Sequence, residues 1–140
     1  MQTPIRYYYK INYFFSPKPY LSMPLSFIQR KRYAQCRLGI LPIRVHLGRF
    51  ERPRLGESER ICRYCLLGKC DDILHFCLIC PFNNIERNEM LNQIDPCIFN
   101  FKSDQEKLLI LLNDTRLIKI VSNFICNSLD KRASPVQNIN

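Results

Sequence analysis

The chain has no apolar run of membrane-spanning length; Leu108 to Leu112 is among its longest, against the ~20 residues a spanning helix needs. No secretory leader is expected either. The opening MQTPIRYYYKINYFFSPK is broken by Arg6, Lys10 and Lys18 and has no clean apolar stretch. Disulfides belong to oxidising compartments. The eight cysteines are therefore expected to be free or metal-bound thiols in an intracellular, reducing setting, nucleus or cytoplasm, with no membrane partner. Carboxylate constellations are also missing. A polymerase needs paired aspartates for two metals on a strand hairpin, and Asp71-Asp72, the only such pair, sits inside a cysteine-rich stretch. No nuclease carboxylate set appears. Polymerase and nuclease activity are thus not expected of this chain. A Cys77 nucleophile with His75 as its base would require an unmetallated site and a cleft.

What the chain does have is ordinary apolar content and an uneven charge. With 140 residues, 46% hydrophobic and 24% charged, it is sized for one small domain with a core. The net charge of +9 is concentrated in residues 30–63. There Arg30, Lys31, Arg32, Arg37, Arg44, Arg49, Arg52, Arg54, Arg60 and Arg63 are set against Glu51, Glu57 and Glu59 alone. Such a patch is the usual footprint of an anionic partner, most often nucleic acid; a solvated surface accounts for it as simply.

The local signals are mainly helical. Residues 1–22 form an aromatic and basic arm punctuated by Pro17 and Pro19, whose rings are expected to pack on the domain. A helical domain follows over 23–132. Ser26 and Gln29 match a capping box, opening a helix to about Leu38 with Gly39 as its left-handed stop. Residues 40–61 are an arginine-rich connection broken by Pro42, Gly48, Pro53 and Gly56. Gly68 supplies a reversal, Asp71 and Asp72 start a short helix, and Pro81 ends it and opens the next, to about Ile94. Ser103 and Glu106 repeat the capping box. Asn113 or Asp114 caps a last helix whose Leu117, Ile118, Ile120, Val121, Phe124, Ile125 and Leu129 form one apolar stripe. The short link predicts a C-terminal αα-hairpin over 103–132. Residues 133–140 are read as a disordered tail.

The chemistry lies in CRYCLLGKCDDILHFCLIC, residues 62–80, with Cys62, Cys65, Cys70, Cys77, Cys80 and one of two histidines, His75. Thiolates and an imidazole in two close pairs suit tetrahedral zinc. Two ligand sets compete: Cys62, Cys65, His75, Cys80, or Cys62, Cys65, Cys77, Cys80, with Cys70 a further candidate. His75 and Cys80, five residues apart, share no face of a regular helix and converge only if the helix ends near Cys80, as Pro81 suggests. Either set fills all four positions with protein, the mark of a structural rather than a catalytic ion. Cys36, Cys97 and Cys126 are isolated and read as small hydrophobes.

Beyond spacing, the run RLGILPIRVHLGRF, then ERIC-x-x-C, then DDILHF-x-x-x-CPF-x-x-x-x-R resembles the C-terminal zinc-binding region of non-LTR (LINE-type) retrotransposon reverse transcriptases. SPKPYLSMPLSFIQRKRYAQCRLG before it and EKLLILLND…VSNFICNSLDKR after it extend the resemblance over most of the chain. His46-Leu47 stands where that family has an acidic residue and threonine, and Asp71-Asp72-Ile73-Leu74 where it has Glu-Asp-Glu before His-Phe. The resemblance implies Cys62, Cys65, His75 and Cys80 as ligands of a structural Zn²⁺, in a zinc knuckle spanning 60–82. It implies a tail of a longer polyprotein that holds element RNA or target DNA, with the parent polymerase domain as a further partner. The expected phosphate contacts are Arg30, Lys31, Arg32, Arg37, Arg44, Arg49, Arg52 and Arg54. The alternative is a structural or protein-interaction remnant, or a non-functional fragment of the element.

Overall fold

Ser26 and Gln29 form the reciprocal cap expected of them: the Ser26 hydroxyl accepts the Gln29 N–H, and the Gln29 side chain accepts the Ser26 N–H. That opens α1, Phe27–Leu38, which ends at Gly39 with φ 72°. The positive φ is one that glycine adopts without a Cβ penalty. The computed structural model describes residues 18–134, so the arm over residues 1–17 and the tail from 135 lie outside the described residues. From the arm's last part, Tyr20 is buried and meets Tyr33 edge to face, 5.2 Å between ring centres.

Among the described residues four more helices follow: α2, Arg44–Leu47; α3, Asn84–Asn92; α4, Asp104–Asn113; and α5, Ile118–Ala133. Ser103 and Glu106 cap α4 reciprocally. The Asp114 carboxylate accepts the Arg116 N–H and starts the 3-10 turn Thr115–Leu117 that leads into α5. Among the described residues there is no strand, only an isolated antiparallel bridge between Ile61 and Cys70. The fold is mainly helical, as the capping and periodicity signals indicate.

α5 is the hub, touching α1, α3 and α4. Its stripe is spent on this: Leu117, Ile118, Val121, Phe124, Ile125 and Leu129 are buried with Tyr33, Cys36, Leu108, Leu111 and Leu112, and Ile120 packs on the same cluster half-buried. Each such side chain contributes roughly 1.5–3 kcal/mol on full burial. The Cys/His segment docks on the same helix: Phe76 is fully buried, with its ring 5.8 Å from that of Phe124. No helix among the described residues is long and apolar enough to cross a membrane.

Candidate metal centre

Two backbone devices build the site. The first is the loop closed by the Ile61–Cys70 bridge. Cys62 N–H donates to the Lys69 carbonyl and Asp71 N–H to the Arg60 carbonyl, each at 2.9 Å. Gly68, with φ 65°, turns the chain back. Within the loop the Tyr64 N–H points at Cys62 Sγ, 3.4 Å away.

The second device is a π-turn. After a first turn whose His75 N–H is accepted by the Asp72 carboxylate at 2.8 Å, the chain widens over His75–Ile79. The Cys80 N–H then donates to the His75 carbonyl at 2.7 Å, an i to i−5 bond that brings residues five apart onto one side. This is how His75 and Cys80 converge. The helix does stop at Pro81, and the π-turn adds what a regular helix end would lack. The carbonyls left at its end are satisfied by side chains from α3 and the turn before it: Arg87 donates to the Cys77, Phe76 and Cys80 carbonyls, and Asn83 to that of Phe76.

The result is a cluster in which ligand atoms of Cys62, Cys65, His75 and Cys80 all lie within 4.8 Å of one another. Cys62 Sγ and Cys80 Sγ are 3.9 Å apart, and Cys65 Sγ is 3.5 Å from His75 Nε2. A tetrahedral zinc ion with its usual bond lengths sets sulfur–sulfur edges of about 3.8 Å and sulfur–nitrogen edges of about 3.5 Å; these two edges match such an ion, and the donor set suits it. Three of the four candidate ligands are buried and Cys65 is half-buried. The Cys80 thiol is pulled down to about 4, first by its hydrogen bond with Cys62, then, against the cost of burial, by the Phe82 N–H and the Arg132 guanidinium.

The rival ligands point elsewhere. Cys77 is buried in the apolar core, with Cys36 as its neighbour. Cys70 Sγ lies 3.4 Å from the Glu57 carbonyl. All eight cysteines are free thiols.

The candidate phosphate contacts fall into three groups. Arg37 is 3% exposed and donates to the Leu112 carbonyl and the Asn113 side chain. Arg30 donates to the Tyr20, Met23 and Leu25 carbonyls. Arg44 is ion-paired with Glu51. These three are spent inside the protein, which removes them from the expected contact surface. Arg32 is half-buried and bonded to Gln35, and Arg49 is half-buried. Lys31, Arg52 and Arg54 are exposed. Arg63 and Lys69, on the loop that carries Cys62 and Cys65, are exposed as well; Arg63 lies 3.5 Å from the Glu51 carboxylate but keeps most of its side chain in solvent.

Comparison with family models, with curated proteins and with solved structures returns no match.

The structure also promotes residues that spacing alone passed over. Asp71, expected to start a helix, instead turns its carboxylate inward, 1% exposed, to accept the Arg44 N–H and both terminal nitrogens of Arg132. Arg60, fully buried, donates to the Leu55 and Val45 carbonyls and so folds the arginine-rich connection onto the loop that carries Cys62 and Cys65. The signal for Arg132 was present in the stripe: it follows Ile125 at i+7 and Leu129 at i+3, on the buried side of α5.

Proposed function

We propose that this chain is a nucleic-acid-binding module organised by one structural zinc ion. On this reading it is related to the zinc-binding tail of non-LTR retrotransposon reverse transcriptases and has no polymerase activity of its own. The observation that carries the reading is the outward placement of Arg52, Arg54, Arg63 and Lys69 in the segment that builds and adjoins the Cys/His cluster. A cluster with four protein ligands leaves a four-coordinate ion no open position, which suits a structural ion. The exposed cations provide a surface for RNA or DNA backbone, without base-specific readout. The alternative, a remnant that docks on another protein through α5, requires an exposed stripe on that helix, and the stripe is buried.

Two measurements test this. Elemental analysis of the purified chain is expected to give one zinc per molecule. Filter binding to single-stranded RNA at two salt levels is expected to show log affinity falling by about 0.7–0.9 per phosphate contact per log unit of salt. Arg52→Gln with Arg54→Gln should lower that slope by about one for each phosphate no longer neutralised, whereas Arg30→Gln should leave it unchanged. Absent binding, or binding indifferent to salt, would sink the nucleic-acid reading.

A further inference from the structure

Arg132 is a cation held neither on the surface nor in the apolar core. It lies in the last turn of α5, far along the chain from the Cys/His segment, with its side chain 5% exposed. Its guanidinium makes a forked pair with Asp71, Nη1 to Oδ2 at 2.9 Å and Nη2 to Oδ1 at 3.1 Å. The same Nη2 is 3.7 Å from Cys62 Sγ and 3.7 Å from Cys80 Sγ. The carbon of the guanidinium lies over two rings, 4.6 Å from the centre of Tyr64 and 4.8 Å from that of Phe76. Charge, fork and flat faces are all used, and a lysine offers only the first.

We propose that Arg132 is a positioning residue of the metal centre, holding Cys62 and Cys80 from outside the coordination sphere, so that metal retention depends on the docked end of α5. The proposal rests on the zinc reading above. Three thiolates around a divalent ion leave one net negative charge, and Asp71 adds a second beside it. Arg132 offsets one of these in a buried place where an uncompensated charge is costly. Asp71 fixes the guanidinium, the rings fix its plane, and Nη2 is thereby aimed at both sulfurs. Outer partners of this kind orient ligands and tune the metal, and their loss commonly costs 10–100-fold in affinity. Lys131, the preceding residue, fastens the same helix end differently. Its Nζ donates to the Phe82 carbonyl at 2.8 Å and lies 3.4 Å from the Glu86 carboxylate, so its bonds run to oxygens rather than to a ligand sulfur. That makes it the control for simple undocking of the helix.

The experiment compares zinc transfer from the full-length chain to a chromophoric chelator for the parent, Arg132→Gln, Arg132→Lys and Lys131→Gln, together with absorption spectra of the cobalt(II)-loaded forms. Arg132→Gln is expected to weaken zinc retention by about 10–100-fold and to move the sulfur-to-cobalt charge-transfer band to lower energy, because the sulfurs lose donors. The ligand-field bands should keep the shape of a tetrahedral site with three sulfurs and one nitrogen. Arg132→Lys is expected to fall between the parent and Arg132→Gln, and Lys131→Gln to leave the band in place and to change retention by no more than about two-fold, a small part of the effect expected when an outer partner is removed. Unchanged retention in Arg132→Gln would overturn the proposal, as would equal losses in Arg132→Gln and Lys131→Gln, which would assign the effect to helix docking alone. Should Arg132→Gln fail to fold, an unmoved charge-transfer band in Arg132→Lys overturns it equally. A parent that binds no zinc fails the metal reading itself, an outcome distinct from a zinc-loaded parent whose Arg132 variants behave like it.

Discussion

The interior of this protein is made of two different materials. Between α1, α4 and the middle of α5 it is mainly apolar: Tyr33, Cys36, Leu111, Leu112, Val121 and Ile125 are buried against one another, with Arg37, bonded to the Leu112 carbonyl, the one buried cation among them. Around the Cys/His cluster it is polar: Arg60, Asp71, His75, Asn83, Arg87 and Arg132 are all buried. Apolar contact is non-directional and favourable without further conditions. Buried polar groups stabilise nothing unless each finds its partner, and a half-satisfied set is worse than none. The helical region should therefore stand alone, and the cluster region should stand only when its central charges are matched.

Metal removal breaks the comparison open most forcefully. Zinc binding in small zinc modules has an apparent free energy of about 10–16 kcal/mol, comparable to or larger than the stability of a typical domain. Chelation, or Cys65→Ser, is expected to abolish amide protection over residues 60–82 and the last turn of α5. Hydrogen exchange should at the same time still find protected amides in α1, α4 and the first turns of α5, and far-UV circular dichroism should retain most of the helical signal. Loss of all protection in one step would show that the two regions are a single cooperative unit.

The seam between the regions is Phe124, whose ring faces Phe76 across 5.8 Å. Phe124→Ala removes a buried ring and leaves a cavity, a change that costs about 3–5 kcal/mol. Urea unfolding of the metal-loaded protein should show that loss as a lower midpoint at constant slope. The apo variant should then lose the helical signal that the apo parent keeps. If the apo variant kept that signal, the helical region would owe little to its contact with the cluster.

The two regions also differ in how far the sequence revealed them. The helical half is written in local signals, the Ser26/Gln29 and Ser103/Glu106 caps and the stripe on α5, and these appear as read. The candidate ligands are legible in spacing, yet spacing could not choose between His75 and Cys77. That choice lies in a π-turn, held by Cys80 N–H to the His75 carbonyl, and a widening by one residue per turn leaves no compositional mark. The arginines were the least legible. Counting charge treats them alike, whereas periodicity separates them. Arg30 and Arg37 fall at i−3 and i+4 from Tyr33, and Arg87 at i+4 from Asn83 and i−3 from Met90, so each lies on a buried face. A cation that repeats with the apolar stripe is directed inward, to carbonyls or carboxylates; one out of phase with it remains for solvent or a partner. Arg60 has no helix to place it, and only the tertiary structure shows where it goes.

The smallest effect probes Arg60 through its neighbour. Gly48 is buried with φ −61° and ψ −17°, a backbone conformation that alanine adopts without strain. On conformational grounds alone Gly48→Ala should stabilise by about 0.4–1 kcal/mol. A Cβ there, however, would lie 2.6 Å from Arg60 Cγ and 2.8 Å from Arg60 Cδ. Those atoms belong to the stem of a side chain that is fully buried and fixed by three hydrogen bonds to the Leu55 and Val45 carbonyls, so it has nowhere to move. Overpacking of this kind costs about 1–3 kcal/mol, and the sign is expected to be destabilising, read as a lower urea midpoint for the metal-loaded chain. The double-mutant cycle with Arg60→Ala decides the cause: if the clash is what matters, Gly48→Ala should become neutral or slightly stabilising once the arginine stem is gone. A penalty that persists in the Arg60→Ala background would mean that the polar region is held at Gly48 by something other than the buried guanidinium.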